Sequence, residues 1–409
     1  MSLITIISIF IIVMATTDFM FPNMPRLKND IYKVSFFIVY FLFTIKYYYG
    51  ADIHTYVPQY ENIPSISYIL AHPFDMRFEL GYSIFCSILK SLGCSYWCMT
   101  AIISTIYFTA IYTLFKHLKT NKIFALMILV VIDNNLIFAA FRQCLSVSFF
   151  IFMILALQKR KYIETIICAS LTILFHKSGI FVVLPTLLYL LIPNYIIKQY
   201  IFQILLLLLC VLLFFPLIKL ITPVIGLLPL PEQSIDSIQH HLLLGRTVQV
   251  VFLVYLTAIL CLTYFSKNQT NKINTIKYAV IIGLILIVCL YQYYYVLNRM
   301  RSYFLPFIII YTINSAYEYF KDNNKLLPYS TLLKQLSILF IFIYVSYFTY
   351  TIEKTYSQTI SQFYDRTTIF ELRHHSKAEI RARQLKKAET YWLKDFFRNA
   401  ENVIKNTDD

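Results

Sequence analysis

Residues Phe141 to Phe152 read FRQCLSVSFFIF, with an arginine one residue into a run that is otherwise apolar or small. A guanidinium at the edge of such a run is costly in hydrocarbon and persists only where it faces a bundle interior or a water-filled cavity. The chain mostly keeps ionisable groups out of its apolar stretches, so Arg142 is the residue from which the reading starts. Those stretches recur along most of the 409 residues, with 58% hydrophobic and 14% charged residues and a mean hydropathy of +0.63. This is the composition of an integral membrane protein. The expected class is all-α and polytopic, because a helix satisfies its own backbone groups where no water can. At about 20 residues per crossing, the length allows about 12 transmembrane helices. They form one domain over residues 1–351, followed by a charged tail over 352–409.

The expected spans are Leu3 to Met20, Val34 to Tyr49, Ser95 to Phe115, Ile123 to Phe141, Cys144 to Leu157, Ile163 to Phe175, Gly179 to Ile192, Tyr200 to Ile221, Thr247 to Phe265, Tyr278 to Leu297, Tyr303 to Phe320 and Leu332 to Thr351. No basic residue precedes the first run, and Arg26, Lys28 and Lys33 follow it. The positive-inside rule therefore reads it as an uncleaved span with the N-terminus outside. Alternation from there puts the lysine-bearing loops in the cytoplasm. The net charge of +15 is then mainly topological, and nucleic acid is not an expected partner. Five of the seven arginines before the tail fall on the outer side: Arg77, Arg142, Arg246, Arg299 and Arg301. Topology asks only for positive charge, whereas a planar fork binds phosphate or carboxylate in a bidentate way that lysine cannot.

The middle spans, from Cys144 to Ile192, are short for the hydrocarbon core, which sets Arg142 and His176 below the outer surface in a recessed, outward-open site. In the fourth span Asp133, Asn134 and Asn135 interrupt the apolar run. A continuous helix there puts Asn135 on the face of Arg142, two turns away, as a pocket wall or as hydrogen-bonding glue between helices. His176 is a base, a hydrogen-bond donor to pyrophosphate, or a cap at a tight turn. An extended turn at Asn298 to Arg301 would point Arg299 and Arg301 the same way, as a diphosphate clamp. The outer stretch from Gly50 to Cys94 mixes Asp52, His54, Glu61, His72, Asp75, Arg77 and Glu79 with four tyrosines. That mixture suits carbohydrate, or else an interfacial aromatic belt.

Eight scattered cysteines with no CxxC pair make neither a disulfide framework nor a zinc site, and no metal is expected. No GxxxxGK[ST], GxGxxG, HExxH, GxSxG or DxD pattern occurs, so no nucleotide or redox cofactor is expected and the energy of any reaction enters with the substrate. In the tail, Leu385, Ala388, Trp392, Phe396 and Val403 form one apolar stripe at helical spacing, suited to the bilayer interface. Span parity puts the tail outside, while its lysines and arginines favour the inside.

Four short elements carry a family resemblance. YGADIHTY (from Tyr49) resembles the glycine-x-aspartate signature of EpsG/Wzy-type polysaccharide polymerases, and FELGYSIF (from Phe78) resembles their Glu-x-Gly-Tyr stretch. FRQCLSVS (from Phe141) and LFHKSGIF (from Leu174) resemble their Arg-Gln and His-x-Ser elements, in the same order. The chain departs from the pattern at Lys46, where an arginine is common, and in its long tail. The resemblance implies a GT-C-like membrane glycosyltransferase at the outer face of the cytoplasmic membrane, joining polyprenyl-pyrophosphate-linked oligosaccharide repeat units into O-antigen, capsule or exopolysaccharide. It also implies a flippase and a chain-length regulator as partners. In that reading Arg142, Arg299, Arg301, Arg77, Arg246 and Asn135 hold the substrate and its pyrophosphate, and the base is Asp52, His176 or Glu79 in that order. The alternatives are a flippase or transporter of the same lipid-linked sugar and a membrane O-acyltransferase.

Overall fold

The computed structural model describes residues 3–21, 24–46, 52–133, 136, 140–191, 275–289, 294–322 and, in the tail, 375–376, 378–383 and 386. Among them every regular element is a helix: α1 (Leu3–Met20), α2 (Pro25–Thr44), α3 (Ile53–Glu61), α4 (Ile66–Ala71), α5 (Leu80–Ser91), α6 (Tyr96–Phe115), α7 (Lys122–Ile132), α8 (Phe141–Gln158), α9 (Tyr162–Phe175), α10 (Gly179–Leu191), α11 (Thr275–Cys289) and α12 (Tyr294–Asp322), with a short helix at 378–383. Of the described helices, α6 and α8 are long and apolar enough to cross a membrane. The expected spans Tyr200 to Ile221, Thr247 to Phe265 and Leu332 to Thr351 lie outside the described residues. The chain folds as two compact units, one of Met1–Leu145 with Tyr317–Asp409 and one of Ser146–Ala316.

In the first unit α1 packs on α2 and α7, and a buried carboxylate fastens it. Asp18 Oδ2 accepts the backbone N–H groups of Ile123 and Phe124, both at 2.9 Å, at the start of α7. Those are two of the donors that a helix N-terminus cannot satisfy internally, and a carboxylate also suits the positive end of the helix dipole. Lys28 Nζ stands 3.9 Å from Asp18 Oδ1, so the one acid of the first apolar run is paired as well as bonded. Rings join α2 to α6: Tyr32 stacks on Tyr112 and Phe36 meets Phe108 edge-on. Trp97 Nε1 donates to Thr44 O at 3.0 Å and ties the end of α2 to the start of α6.

The stretch between α2 and α6 is folded, and α3 packs on both α5 and α6. Three side chains satisfy carbonyls that the breaks between helices expose: Ser87 Oγ donates to Pro64 O at 2.8 Å, Lys90 Nζ to Glu61 O at 2.6 Å and Tyr60 OH to Cys94 O at 2.8 Å.

In the second unit α9 and α10 meet at a tight turn, closed by Gly179 N–H donating to His176 O at 2.8 Å. A Cβ on Gly179 would stand 2.6 Å from the backbone oxygen of Thr172, so the helices approach more closely than any side chain permits. Gly283 of α11 lies as close to Phe304 of α12, whose neighbours Tyr303 and Phe307 present their rings with it around Phe150. The outer faces of α9 and α10 carry exposed Ile163, Ile166, Phe181 and Leu184, an apolar surface suited to lipid and not to water.

Three expectations need correction. The fourth span is not one helix. α7 ends at Ile132, where Asp133 leaves the helical conformation (φ −112°, ψ 25°), and α8 begins at Phe141, so no continuous helix joins them; Asn135 itself lies outside the described residues. The fifth is not short: its 18 residues rise about 27 Å, close to the hydrocarbon thickness, with Arg142 at its end. Finally, Asn298 to Arg301 is no extended turn but part of the 29-residue α12. Residues two apart on a helix diverge by about 200°, so Arg299 and Arg301 do not point the same way.

Gly179→Ala should cost about 1–3 kcal/mol, the usual penalty of overpacking, because Thr172 O belongs to backbone and cannot step aside. Thermal melting of the detergent-solubilised protein checks this, with the exposed Ser170→Ala as the silent control. Equal melting of both variants would refute the close approach.

Candidate active site

In the first unit Arg142 stands one residue into α8, its guanidinium held from three directions. Nη1 donates to Glu79 Oε2 at 2.6 Å, and Nε donates to Tyr56 OH at 3.2 Å. The guanidinium carbon lies 4.3 Å from the centre of the Phe78 ring and 5.8 Å from that of Tyr56. Glu79 is the residue before α5, with its side chain 8% exposed against 25% for Arg142. Tyr56 comes from α3 and packs on Phe78, Tyr82 and Phe141. Lys46, just past the end of α2, is fully buried with Nζ 4.8 Å from the centre of the Phe141 ring. Four separate segments thus supply an arginine, a lysine, one carboxylate and an aromatic wall.

Each contact has a physical reason. A guanidinium taken out of water needs an opposite charge and its hydrogen bonds, and Glu79 supplies both in a charge-assisted bond. The faces of Phe78 and Tyr56 add cation–π attraction and restrict the rotamers. Among the described residues two of the five N–H donors of Arg142 are used, Nε–H and one on Nη1, which leaves the Nη2 edge for an oxyanion. Burial pushes the Tyr56 phenol up to about 12 against the pull of Arg142, so Tyr56 stays protonated in physiological conditions and serves as a hydrogen-bonding group, not a base.

Asp52 opens α3, its carbonyl accepting the N–H groups of Thr55 and Tyr56 at 2.9 Å. It therefore lies one turn before Tyr56, on the same face. The structure brings Arg142, Glu79 and Asp52 to one region of the first unit. Arg77 lies two residues before Glu79 and is exposed. Arg246 and Asn135 are outside the described residues.

His176 belongs to the second unit and lies at the break after α9 in extended conformation, buried. The Ser178 backbone N–H donates to its Nδ1 at 3.2 Å, and Ser178 Oγ lies 2.6 Å from the same nitrogen. An Nδ1 that accepts a backbone N–H carries no proton, so the neutral imidazole holds its hydrogen on Nε2. A chain of hydroxyls continues from Ser178 Oγ to Tyr303 OH (3.2 Å), Ser146 Oγ (2.7 Å) and the Thr172 carbonyl (2.6 Å). Arg299 and Arg301 are in the same unit on α12, exposed and half-buried respectively.

The sequence reading passed over Tyr56, Phe78, Ser178, Tyr303 and Ser146 as contributors. Four of them lie inside the quoted motifs: Tyr56 closes YGADIHTY, Phe78 precedes Glu79 inside FELGYSIF, Ser146 is in FRQCLSVS, and Ser178 sits two residues after His176 inside LFHKSGIF. As a side chain, Tyr56 looked like any of the four tyrosines in the stretch from Gly50 to Cys94.

Helices with lipid-suited faces, a buried arginine–carboxylate pair and a buried histidine–hydroxyl chain define a membrane protein with polar chemistry inside it. The EpsG family profile matches residues 30–363, and the chain belongs to that family. No curated protein and no solved structure matches it significantly. Membership places the chain in polysaccharide biosynthesis, with a polymerase-like, glycosyltransferase-like role on lipid-linked sugar in a membrane.

Glu79→Ala should destabilise the protein by about 2–3 kcal/mol, less than the figure for a fully buried pair because Arg142 is a quarter exposed. Glu79→Gln keeps an acceptor and should lose less. Melting curves of the two variants decide this, and equal, small losses would mean that the pair is not what supports the buried guanidinium.

Proposed function

We propose that the protein joins polyprenyl-pyrophosphate-linked oligosaccharide repeat units into a longer glycan at the outer face of the cytoplasmic membrane. The observation that carries this reading is the fork of Arg142, fixed by Glu79, Tyr56 and Phe78 with its Nη2 edge unspent among the described residues. A hydroxyl of the acceptor unit attacks the anomeric carbon of the growing glycan, and the bond from that carbon to the pyrophosphate oxygen breaks. The hydroxyl proton passes to a carboxylate, and polyprenyl pyrophosphate leaves with the electron pair. Arg142 stabilises the charge that grows on the leaving oxygens, where a preorganised donor has most effect.

Asp52 is the preferred base. Glu79 is committed to Arg142, and an ionised partner of a guanidinium is a weak proton acceptor. His176 serves as a donor through Nε2, because Ser178 occupies its Nδ1 lone pair. Arg77, Arg246, Arg299 and Arg301 are assigned to further contacts with glycan or lipid phosphate, each singly, since Arg299 and Arg301 diverge.

Purified protein given the native lipid-linked repeat unit should make a ladder of longer glycans without nucleotide or added metal. Arg142→Lys should abolish the ladder, since a point charge does not replace the fork. Asp52→Asn should slow elongation by about 100-fold or more, the usual loss of a general base. His176→Gln, which keeps a donor near Nε2, should retain more activity than His176→Ala. Translocation without elongation, or strict dependence on a divalent cation, would overturn the reading.

A further inference from the structure

In the tail, residues 375–376 and 378–383 are folded. Ser376 and Glu379 cap this piece reciprocally: Ser376 N–H donates to Glu379 Oε2 at 2.9 Å, and Glu379 N–H donates to Ser376 Oγ at 3.2 Å. This is the capping box that starts a helix, here the one at 378–383. The described helical residues, 378–383 and Lys386, are too few to be stable alone in water. The apolar residue among them, Ile380, is nonetheless 1% exposed, so the piece is docked. The next residue, Arg381, shows where: its Nη1 reaches both carboxylate oxygens of Glu61, 2.9 Å from Oε1 and 2.7 Å from Oε2. Both partners belong to the first unit.

Glu61 is the last residue of α3, the helix that Asp52 opens and that carries Tyr56 to Arg142. Lys90 of α5 already holds the Glu61 carbonyl at 2.6 Å. The C-terminal end of α3 is thus gripped twice, by α5 through its backbone and by the tail through its side chain. The family profile stops at residue 363, so the second grip lies beyond the part shared with the family.

We propose that residues 375–383 are a strap that docks on the end of α3, which sets the tail on the same membrane face as α3 to α5 and holds α3, and with it Tyr56, in register with Arg142. The strap answers the conflict between span parity and tail charge in favour of one face, since an ion pair and a buried isoleucine cannot be made across a bilayer. Docking stands without any assumption about catalysis. Its effect on turnover rests on the polymerase reading.

The test is a charge exchange in the full-length protein in liposomes: Glu61→Arg, Arg381→Glu, and both together. A half-exposed pair of this kind changes an equilibrium by up to about fivefold. Trypsin cleavage in the stretch from Arg383 to Lys387 should therefore quicken by up to about fivefold in each single variant and return to within about twofold of the parent in the double one. Unchanged cleavage in the singles, or no recovery in the double, overturns the docking. Ser67→Cys and Ala382→Cys, labelled with a membrane-impermeant thiol reagent above the parent background, should react from the same side of oriented membranes. Labelling from opposite sides overturns the shared face. With docking upheld by both readouts, elongation should slow in the singles and recover in the double; an unchanged rate overturns the coupling to Arg142 while leaving the strap in place, and an inactive parent would instead be a failure of the polymerase reading.

Discussion

Taking a guanidinium out of water costs several kcal/mol unless an opposite charge and a full set of hydrogen bonds replace the lost hydration. At Arg142 that requirement organises much of the first unit. Glu79 must reach it from the residue before α5, Tyr56 must reach it from α3, and Phe78 must lie flat against it. The carbonyl bonds from Ser87, Lys90 and Tyr60 keep α3 and α5 where those side chains can meet. Lys46 adds a second basic side chain near Phe141, at the position where the family resemblance leads one to expect an arginine. An apolar residue at position 142 would make the whole arrangement unnecessary, which is why a structural role alone accounts poorly for it. A pair that holds a fork rigid with one edge unspent is suited to an anionic ligand.

The second unit follows a different logic. Close backbone approach at Gly179 lets hydroxyls and an imidazole be buried together, and the chain from His176 to the Thr172 carbonyl satisfies them. Ser178 does two things there: its backbone fixes the tautomer of His176, and its hydroxyl passes the connection to Tyr303. The imidazole is thereby assigned a face and a proton, the kind of orientation that a substrate-facing histidine needs and that a merely space-filling one does not.

Apolar runs carried most of the legible information. The bounds of α1 agree with the sequence reading, α6 and α9 agree to within a residue at each end, and α10 starts where expected, because each is a predominantly apolar stretch. The break after Ile132 was misread because Asp133, Asn134 and Asn135 serve equally well as a polar interruption of a helix or as its end. Asn298 to Arg301 looked like a turn because charges between two apolar runs usually mark one, whereas α12 simply continues through them. Arg142 and Glu79 were each singled out, yet their pairing spans 63 residues and no local pattern reports it. The same holds for Asp18, whose partners lie 105 and 106 residues away, and for Glu61 with Arg381, 320 residues apart.

The central claim is that Arg142 recognises pyrophosphate with its fork, and direct binding tests it without requiring turnover. Labelled polyprenyl pyrophosphate and polyprenyl monophosphate, both lacking sugar, would be titrated against the parent protein and against Arg142→Lys. A charge-assisted bidentate contact is worth about 1.5–3 kcal/mol. The account therefore predicts that the lysine variant, while melting with the parent, binds pyrophosphate about ten- to a hundredfold more weakly and loses most of its preference over the monophosphate. An Arg142→Lys protein that keeps the parent's affinity and preference would contradict it.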